Sequence, residues 1–280
     1  MSPSPKPVRG RRIERAFATA AREKRAALVV FVEAGDPDVA TTERLVPALA
    51  DAGADVIELG VAFSDPIADG PTIQRASERA LAAGATLTGT LALAASLRAA
   101  GVEVPLVLFS YANPILAMGE AEFAHRAAKS GIDGVLVTDL PPEAGRPFAS
   151  ILKSAALDPV YLLAPTSPDA RIRRAASLSR GFVYLVSRAG VTGVRADLPP
   201  GLDALVARVK KSVPKLPIAV GFGISTPAQV RDAAALTEGV VVGSAVVSCM
   251  EEAVRERRDP VTAAAALVRT LRAATARPNG

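Results

Sequence analysis

Two carboxylic acids, Glu58 and Asp69, sit where folding alone does not account for both of them. Glu58 interrupts Ala54-Asp55-Val56-Ile57-Glu58-Leu59-Gly60, a run otherwise suited to a buried strand, and alternation puts it on one face with Val56 and Gly60. A carboxylate buried there is costly unless it is paired, protonated or functional. It could join a charge layer with some Lys or Arg, but its place near the C-terminal end of the run favours a general acid/base with a raised pKa. Asp69 follows eleven residues later in Phe63-Ser64-Asp65-Pro66-Ile67-Ala68-Asp69-Gly70-Pro71. Alone, acids before Pro or Gly read as turn-formers. On a loop fed by the strand of Glu58, the two acids can converge on one ligand.

The residue supply narrows the chemistry. His125 is the single His and Cys249 the single Cys of 280 residues. A zinc site of the usual kind, a cysteine cluster, an internal disulfide or a Ser–His–Asp triad has almost nothing to be built from. No metal is expected, and proton transfer falls to carboxylates, Tyr or Lys. Glycines supply another kind of site. Gly221-Phe222-Gly223-Ile224-Ser225-Thr226-Pro227 and Gly243-Ser244-Ala245 each lead from an apolar run into a helical stretch, and exposed amides there suit a phosphate. Thr192-Gly193 could complete that site from another loop.

These residues need elements to hold them. Eight short apolar runs recur: 27–33, 54–61, 104–109, 134–138, 159–163, 181–186, 217–220 and 239–242. Helical spacing fills the segments between them, as in 42–52, 121–130, 142–154, 169–178, 202–211 and 227–235. Continuous rather than alternating apolarity belongs to a parallel sheet covered on both faces, and eight strand–helix units point to a (β/α)8 TIM barrel. A doubly wound open sheet competes, but no GxGxxG follows the first run and no P-loop occurs. The stretch 12–24 reads as an extra N-terminal amphipathic helix that closes the barrel bottom. Two connections are unusually long. One holds 62–72 and two helical stretches split by Gly84-Ala85-Thr86; the other is 187–200.

The formal charge is +5, yet residues 1–12 and 261–280 hold seven Arg and Lys and no acid, so residues 13–260 sum to −2. With no basic stripe interleaved with aromatics, nucleic-acid binding is not expected. No signal peptide or membrane-length apolar stretch is present, so a cytoplasmic protein without a membrane partner is expected. The domain reading is a basic tail over 1–11, one barrel over 12–276 and a short tail over 277–280.

The strings Glu58-Leu59-Gly60, Phe63-Ser64-Asp65-Pro66, Ala68-Asp69-Gly70-Pro71, Asp139-Leu140-Pro141-Pro142-Glu143, Ala164-Pro165-Thr166, Ser187-Arg188-Ala189-Gly190-Val191-Thr192-Gly193 and Gly221-Phe222-Gly223-Ile224-Ser225 resemble the tryptophan synthase α subunit family, collinearly from about Arg12 to Glu252. The resemblance implies aldol-type cleavage of indole-3-glycerol phosphate to indole and glyceraldehyde 3-phosphate, with no cofactor on this chain. It implies Glu58 as the proton-transfer residue, Asp69 as the acceptor of the indole N–H, and Tyr184 beside Glu58. It places Phe31, Tyr111 and Phe222 around the indole, and Thr192, Gly193, Gly223, Gly243 and Ser244 at the phosphate. It also implies a β subunit carrying pyridoxal phosphate, an α2β2 heterotetramer, and a docking face that includes Asp65, Asn113 and Pro141. Two positions depart from the family pattern: Glu33 replaces a Thr, and Ala62 replaces a Pro, which is expected to weaken coupling to the partner. A phosphosugar isomerase or epimerase, and a diverged α subunit that acts mainly as an allosteric partner, are the competing functions.

Overall fold

The computed structural model describes residues 12–187, 198–221 and 223–277. Its strands are β1 Ala27–Glu33, β2 Val56–Gly60, β3 Leu106–Ser110, β4 Gly134–Val137, β5 Asp158–Val160, β6 Leu162–Leu163, β7 Val183–Val186, β8 Ile218–Gly221 and β9 Gly239–Val242. All pair in parallel, in the order β5-β4-β3-β2-β1-β9-β8-β7-β6. β5 and β6 are two halves of the single fifth run expected from sequence, so the two ends of that order are continuous in the chain and the sheet is a barrel. The expected run divides at Tyr161 because its first half pairs with β4 and its second with β7. The Tyr161 carbonyl already accepts from the Tyr184 N–H at 3.1 Å, marking where the handover occurs.

Among the described residues the helices are α1 Arg12–Arg22, α2 Val39–Asp51, α3 Pro71–Ala82, α4 Leu87–Ala99, α5 Ala112–Met118, α6 Glu120–Ser130, α7 Arg146–Ser154, α8 Asp169–Leu178, α9 Leu202–Ser212, α10 Pro227–Leu236, α11 Ser244–Arg255 and α12 Pro260–Ala273. Gly84-Ala85-Thr86 divides α3 from α4 as expected, with the Thr86 hydroxyl capping the Gly89 N–H. The expected helix over 142–154 starts only at Arg146, because Pro141 to Ala144 form a turn. α5, absent from the sequence reading, starts where Asp139 accepts the Ala112 N–H at 2.8 Å. No single helix here is long and apolar enough to cross a membrane.

Strand alternation sorts the apolar residues into two cores. Leu28, Val30, Ile57, Leu59, Leu106 and Leu108 face outward against the helices. Val29, Val56, Val107, Leu136, Ala219 and Val241 fill the barrel. α1 closes the bottom as expected: Ile13 and Phe17 join the inner core, and Phe17 packs on Phe182 at 5.4 Å between ring centroids. Arg12 anchors this helix to Asp133 at 3.1 Å, and Asp133 also takes Arg98 at 2.6 Å and the Leu106 N–H at 2.9 Å. The far end is tied in too, since Arg277 donates to the Ala234 and Thr237 carbonyls. Phe17→Ala should lower the unfolding free energy by about 3–5 kcal/mol. Urea titration reads this as a lower midpoint without a change of slope.

Candidate active site

Glu58 projects from the middle of β2 into the barrel, on the inner face that Val56 also occupies. Its Cα partners are Phe31 on β1 and Val107 on β3, so it lies in a ring of apolar side chains. It is 1% exposed, and neither carboxylate oxygen has a hydrogen-bond partner among the described residues. Burial alone pushes its pKa from 4.5 to about 8. At neutral pH Glu58 is therefore a carboxylic acid with a proton to give. The bland alternative, a charge layer inside the barrel, finds no support among the described residues, where no Arg or Lys pairs with it.

Asp69 reaches the same space from the loop after β2. The Tyr111 hydroxyl donates to Asp69 Oδ2 at 2.8 Å and accepts from the Ala68 N–H at 2.9 Å, which fixes the loop to the end of β3. Gln74 braces it further by donating to the Asp69 carbonyl at 2.9 Å. Burial raises the Asp69 pKa to about 6, opposed by the bond from Tyr111. The pair is thus split by environment, with Glu58 the holder of the proton and Asp69 the anion.

The other expected residues converge on this space to differing degrees. Tyr184, on β7, is buried in the inner core, and the charges of Glu58 and Asp69 act on its hydroxyl; burial first, then those charges, raise its pKa. Phe31 meets Phe109 edge to face at 5.2 Å, so it is both a core aromatic and a wall of the site. Tyr111 stacks with Phe63 at 5.2 Å. Thr192, Gly193 and Phe222 lie outside the described residues. Asp65, Asn113 and Pro141 are exposed: Asp65 and Pro141 on the loops following β2 and β4, and Asn113 in α5 after β3. His125 is exposed on α6, away from the acids.

The two expected phosphate helices differ. At the start of α10 the Thr226 hydroxyl takes the Gln229 N–H, while Gln229 Oε1 takes the N–H groups of Ser225 and Thr226 at 2.8 and 3.2 Å. That capping box uses amides the sequence reading had offered to a phosphate. α11 has no side-chain cap, so Ser244 and Ala245 begin a helix with N–H groups open to an anion. Gly223, at φ +89°, keeps the connection to α10 in a conformation that suits glycine.

Several neighbours of the site were not singled out from sequence. Thr138 bonds the Tyr111 hydroxyl, Ser77 on α3 bonds Glu33, and Phe109 and Phe63 add rings. Thr138 closes its apolar run and Ser77 is polar on a helix face that also carries Ala76 and Ala80, signals that are weak without the fold. Glu33 itself is 4% exposed at the end of β1, with Oε1 unpartnered.

A parallel barrel with a buried, unpaired acid, a second carboxylate and an uncapped helix terminus towards one mouth has the make-up of a barrel enzyme that moves protons on a phosphate-bearing substrate. Comparison with known proteins supplies the family. The profile described as Tryptophan synthase alpha chain matches residues 17–276, and the chain belongs to that family. The tryptophan synthase alpha chain of Geobacter sulfurreducens is 50% identical over 240 residues, covering 86% of this chain and 90% of that one. That of Burkholderia mallei is 49% identical over 246 residues, covering 88% and 90%. Among solved structures, the tryptophan synthase subunit alpha of Legionella pneumophila superposes with a TM-score of 0.88 at 36% identity, covering 94% of this chain and 98% of that one. A structure of Mycobacterium tuberculosis tryptophan synthase gives 0.85 at 36%, covering 95% and 99%.

Removing the carboxylate of Glu58 should change stability in a pH-dependent way. Its folded pKa of about 8 lies above the usual 4.5, so the native state binds more protons between those values and stability is lost as pH rises through that window. Glu58→Gln should match the wild type near pH 4.5 and exceed it progressively toward pH 8, by up to about 1.4 kcal/mol per pH unit. Urea titrations across pH would show it, and equal stability of the two proteins at pH 8 would disprove the raised pKa.

Proposed function

We propose that Glu58 and Asp69 carry out the cleavage of indole-3-glycerol phosphate, with Tyr184 beside Glu58 and the N-terminus of α11 on the phosphate. The protein is a carbon–carbon lyase of the tryptophan synthase alpha chain family, which releases indole and glyceraldehyde 3-phosphate. Neutral Glu58 gives its proton to indole C3, and the ring nitrogen takes up positive charge. Asp69 accepts the N–H hydrogen bond and stabilises that charge as it develops. The carboxylate left on Glu58 removes the proton of the neighbouring hydroxyl. The carbonyl then forms as the bond to C3 breaks, its electrons restore the indole, and Glu58 is again an acid.

The observation that carries this reading is an acid buried to 1% exposure with both oxygens unpartnered. A structural carboxylate would have a cation or donors there. The phosphate falls to Gly243, Ser244 and Gly223, with Thr192 and Gly193 from the segment that follows β7 in the sequence, and Phe31, Tyr111 and Phe222 enclose the ring. In indole-release assays Glu58→Gln should lower kcat by about 10²–10⁴-fold. Asp69→Asn should lower kcat more than it raises KM. A Glu58→Gln enzyme as active as the wild type would refute the scheme.

A β subunit is the partner of this family's chain, and an α2β2 assembly in the cytoplasm, with pyridoxal phosphate held by the partner alone, is the reading we adopt. The exposed apolar side chains Ile67 (80%) and Leu116 (60%) lie in the loop of Asp65 and on the helix of Asn113, at the mouth that would receive the partner. Leu116→Glu should weaken β-subunit binding by about tenfold or more, measured by titration calorimetry, while indole release by the isolated chain stays unchanged.

A further inference from the structure

Glu33 is a buried carboxyl at the same mouth that the cleavage scheme leaves unused. It is the last residue of β1, directly opposite Gly60, and it shares the inward parity of Phe31. Its Oε2 lies 2.8 Å from where a Cβ on Gly60 would stand, so the side chain leans over β2, one inward position nearer the mouth than Glu58. The Ser77 hydroxyl on α3 is close enough to act on it, and Oε1 has no partner among the described residues.

The position of β1 in the sheet gives this atom a meaning. β1 runs between β2, which carries Glu58, and β9, which leads into Ser244 and α11. Gly243 packs against Phe31, its Cβ position 3.2 Å from the Phe31 Cβ, so the helix terminus adjoins the end of β1. A substrate whose ring meets Glu58 and whose phosphate meets Ser244 must lay its three-carbon chain across the end of β1. That chain carries the reacting hydroxyl and one other.

The groups facing Glu33 leave it without charge compensation. Asp69 faces it from the β2 loop and Asp36 from the turn after β1, while β2 offers Glu58 and Gly60, and α3 offers Ser77. Arg79 on α3 is the nearby cation, but it is spent on Asp36 at 2.7 and 2.8 Å and on Glu251 at 2.8 Å. Burial, then Asp69 and Asp36, push the Glu33 pKa well above 4.5. A neutral carboxyl both donates and accepts, which matches a hydroxyl, and it does not repel a phosphate.

We propose that the Glu33 carboxyl binds the non-reacting hydroxyl of the glyceryl chain and so selects hydroxylated over deoxy substrates. This rests on the cleavage reading above. The test compares indole release from indole-3-glycerol phosphate and from its analogue lacking that hydroxyl, using the full chain as wild type, Glu33→Ala, Glu33→Gln and Glu58→Gln. Glu33→Ala should lower kcat/KM for the hydroxylated substrate by about tenfold or more, chiefly through KM, and change that for the deoxy analogue by less than about twofold. Glu33→Gln, neutral and able to donate and accept, should stay within about threefold of the wild type on both. If Glu33→Ala does not fold, Glu33→Met, of similar length and without a hydrogen-bonding group, replaces it. An equal loss on both substrates, or no loss on either, overturns the proposal. A Glu58→Gln enzyme as active as the wild type overturns the cleavage reading and takes this proposal with it.

Discussion

The inside of the barrel is closed to solvent, and among the described residues the acids Glu33, Glu58 and Asp69 placed there are paired with no cation. That constraint governs the site. Elsewhere the same chain pairs several shielded acids with cations: Asp133 is held by Arg12 and Arg98, the partly buried Asp55 by both arms of Arg25, and Asp36 by Arg79. Such pairs return part of the desolvation cost and tie strands to helices. At the mouth Glu33, Glu58 and Asp69 have serine, nothing and tyrosine as their partners. Glu33 and Glu58 meet the cost by keeping protons instead of binding cations, and Asp69 meets it with the phenol of Tyr111.

The frame needed to hold that space is made from close approaches. Gly60 leaves room for the ring of Phe31 and the carboxyl of Glu33, Gly221 for the ring of Tyr184, and Gly243 for Phe31 again. All three stand at or just beyond the C-terminal ends of strands, where a larger residue would push a wall of the site inward. Glu58 needs no such loop support because its strand is bonded on both sides. Asp69 does need it, and receives it from Tyr111 and Gln74, so one acid is held by the sheet and the other by a braced loop.

Much of this was legible in the sequence. Continuous apolar runs disclosed the parallel barrel, and a lone acid inside one of them disclosed Glu58. Less local facts were hidden. The split at Tyr161 depends on which neighbour each half of the strand meets, and that is a property of closure, not of residues 159–163. The loss of the α10 amides to Gln229 is visible only as a capping-box spacing, which also fits an open helix end. Thr138 and Ser77 act through hydroxyls that any strand end or helix face may carry, so only the fold brings them to Tyr111 and Glu33.

In the proposed scheme the two acids also impose an order on the chemistry. Glu58 must begin protonated and Asp69 must begin ionised, and their values of about 8 and about 6 make both conditions hold together between those pH values. The order follows from the depth of burial and from the partners. Both are raised by burial, but Asp69 has a phenol donating to its carboxylate and Glu58 has none, so the anion settles where a donor already exists. Reversing the order would leave an unsolvated carboxylate against C3 and a neutral acid facing the indole N–H, which can neither give the proton nor stabilise the cation. The division of labour between two like groups is therefore set by the deeper burial of Glu58 together with the hydrogen bond that Asp69 takes from Tyr111.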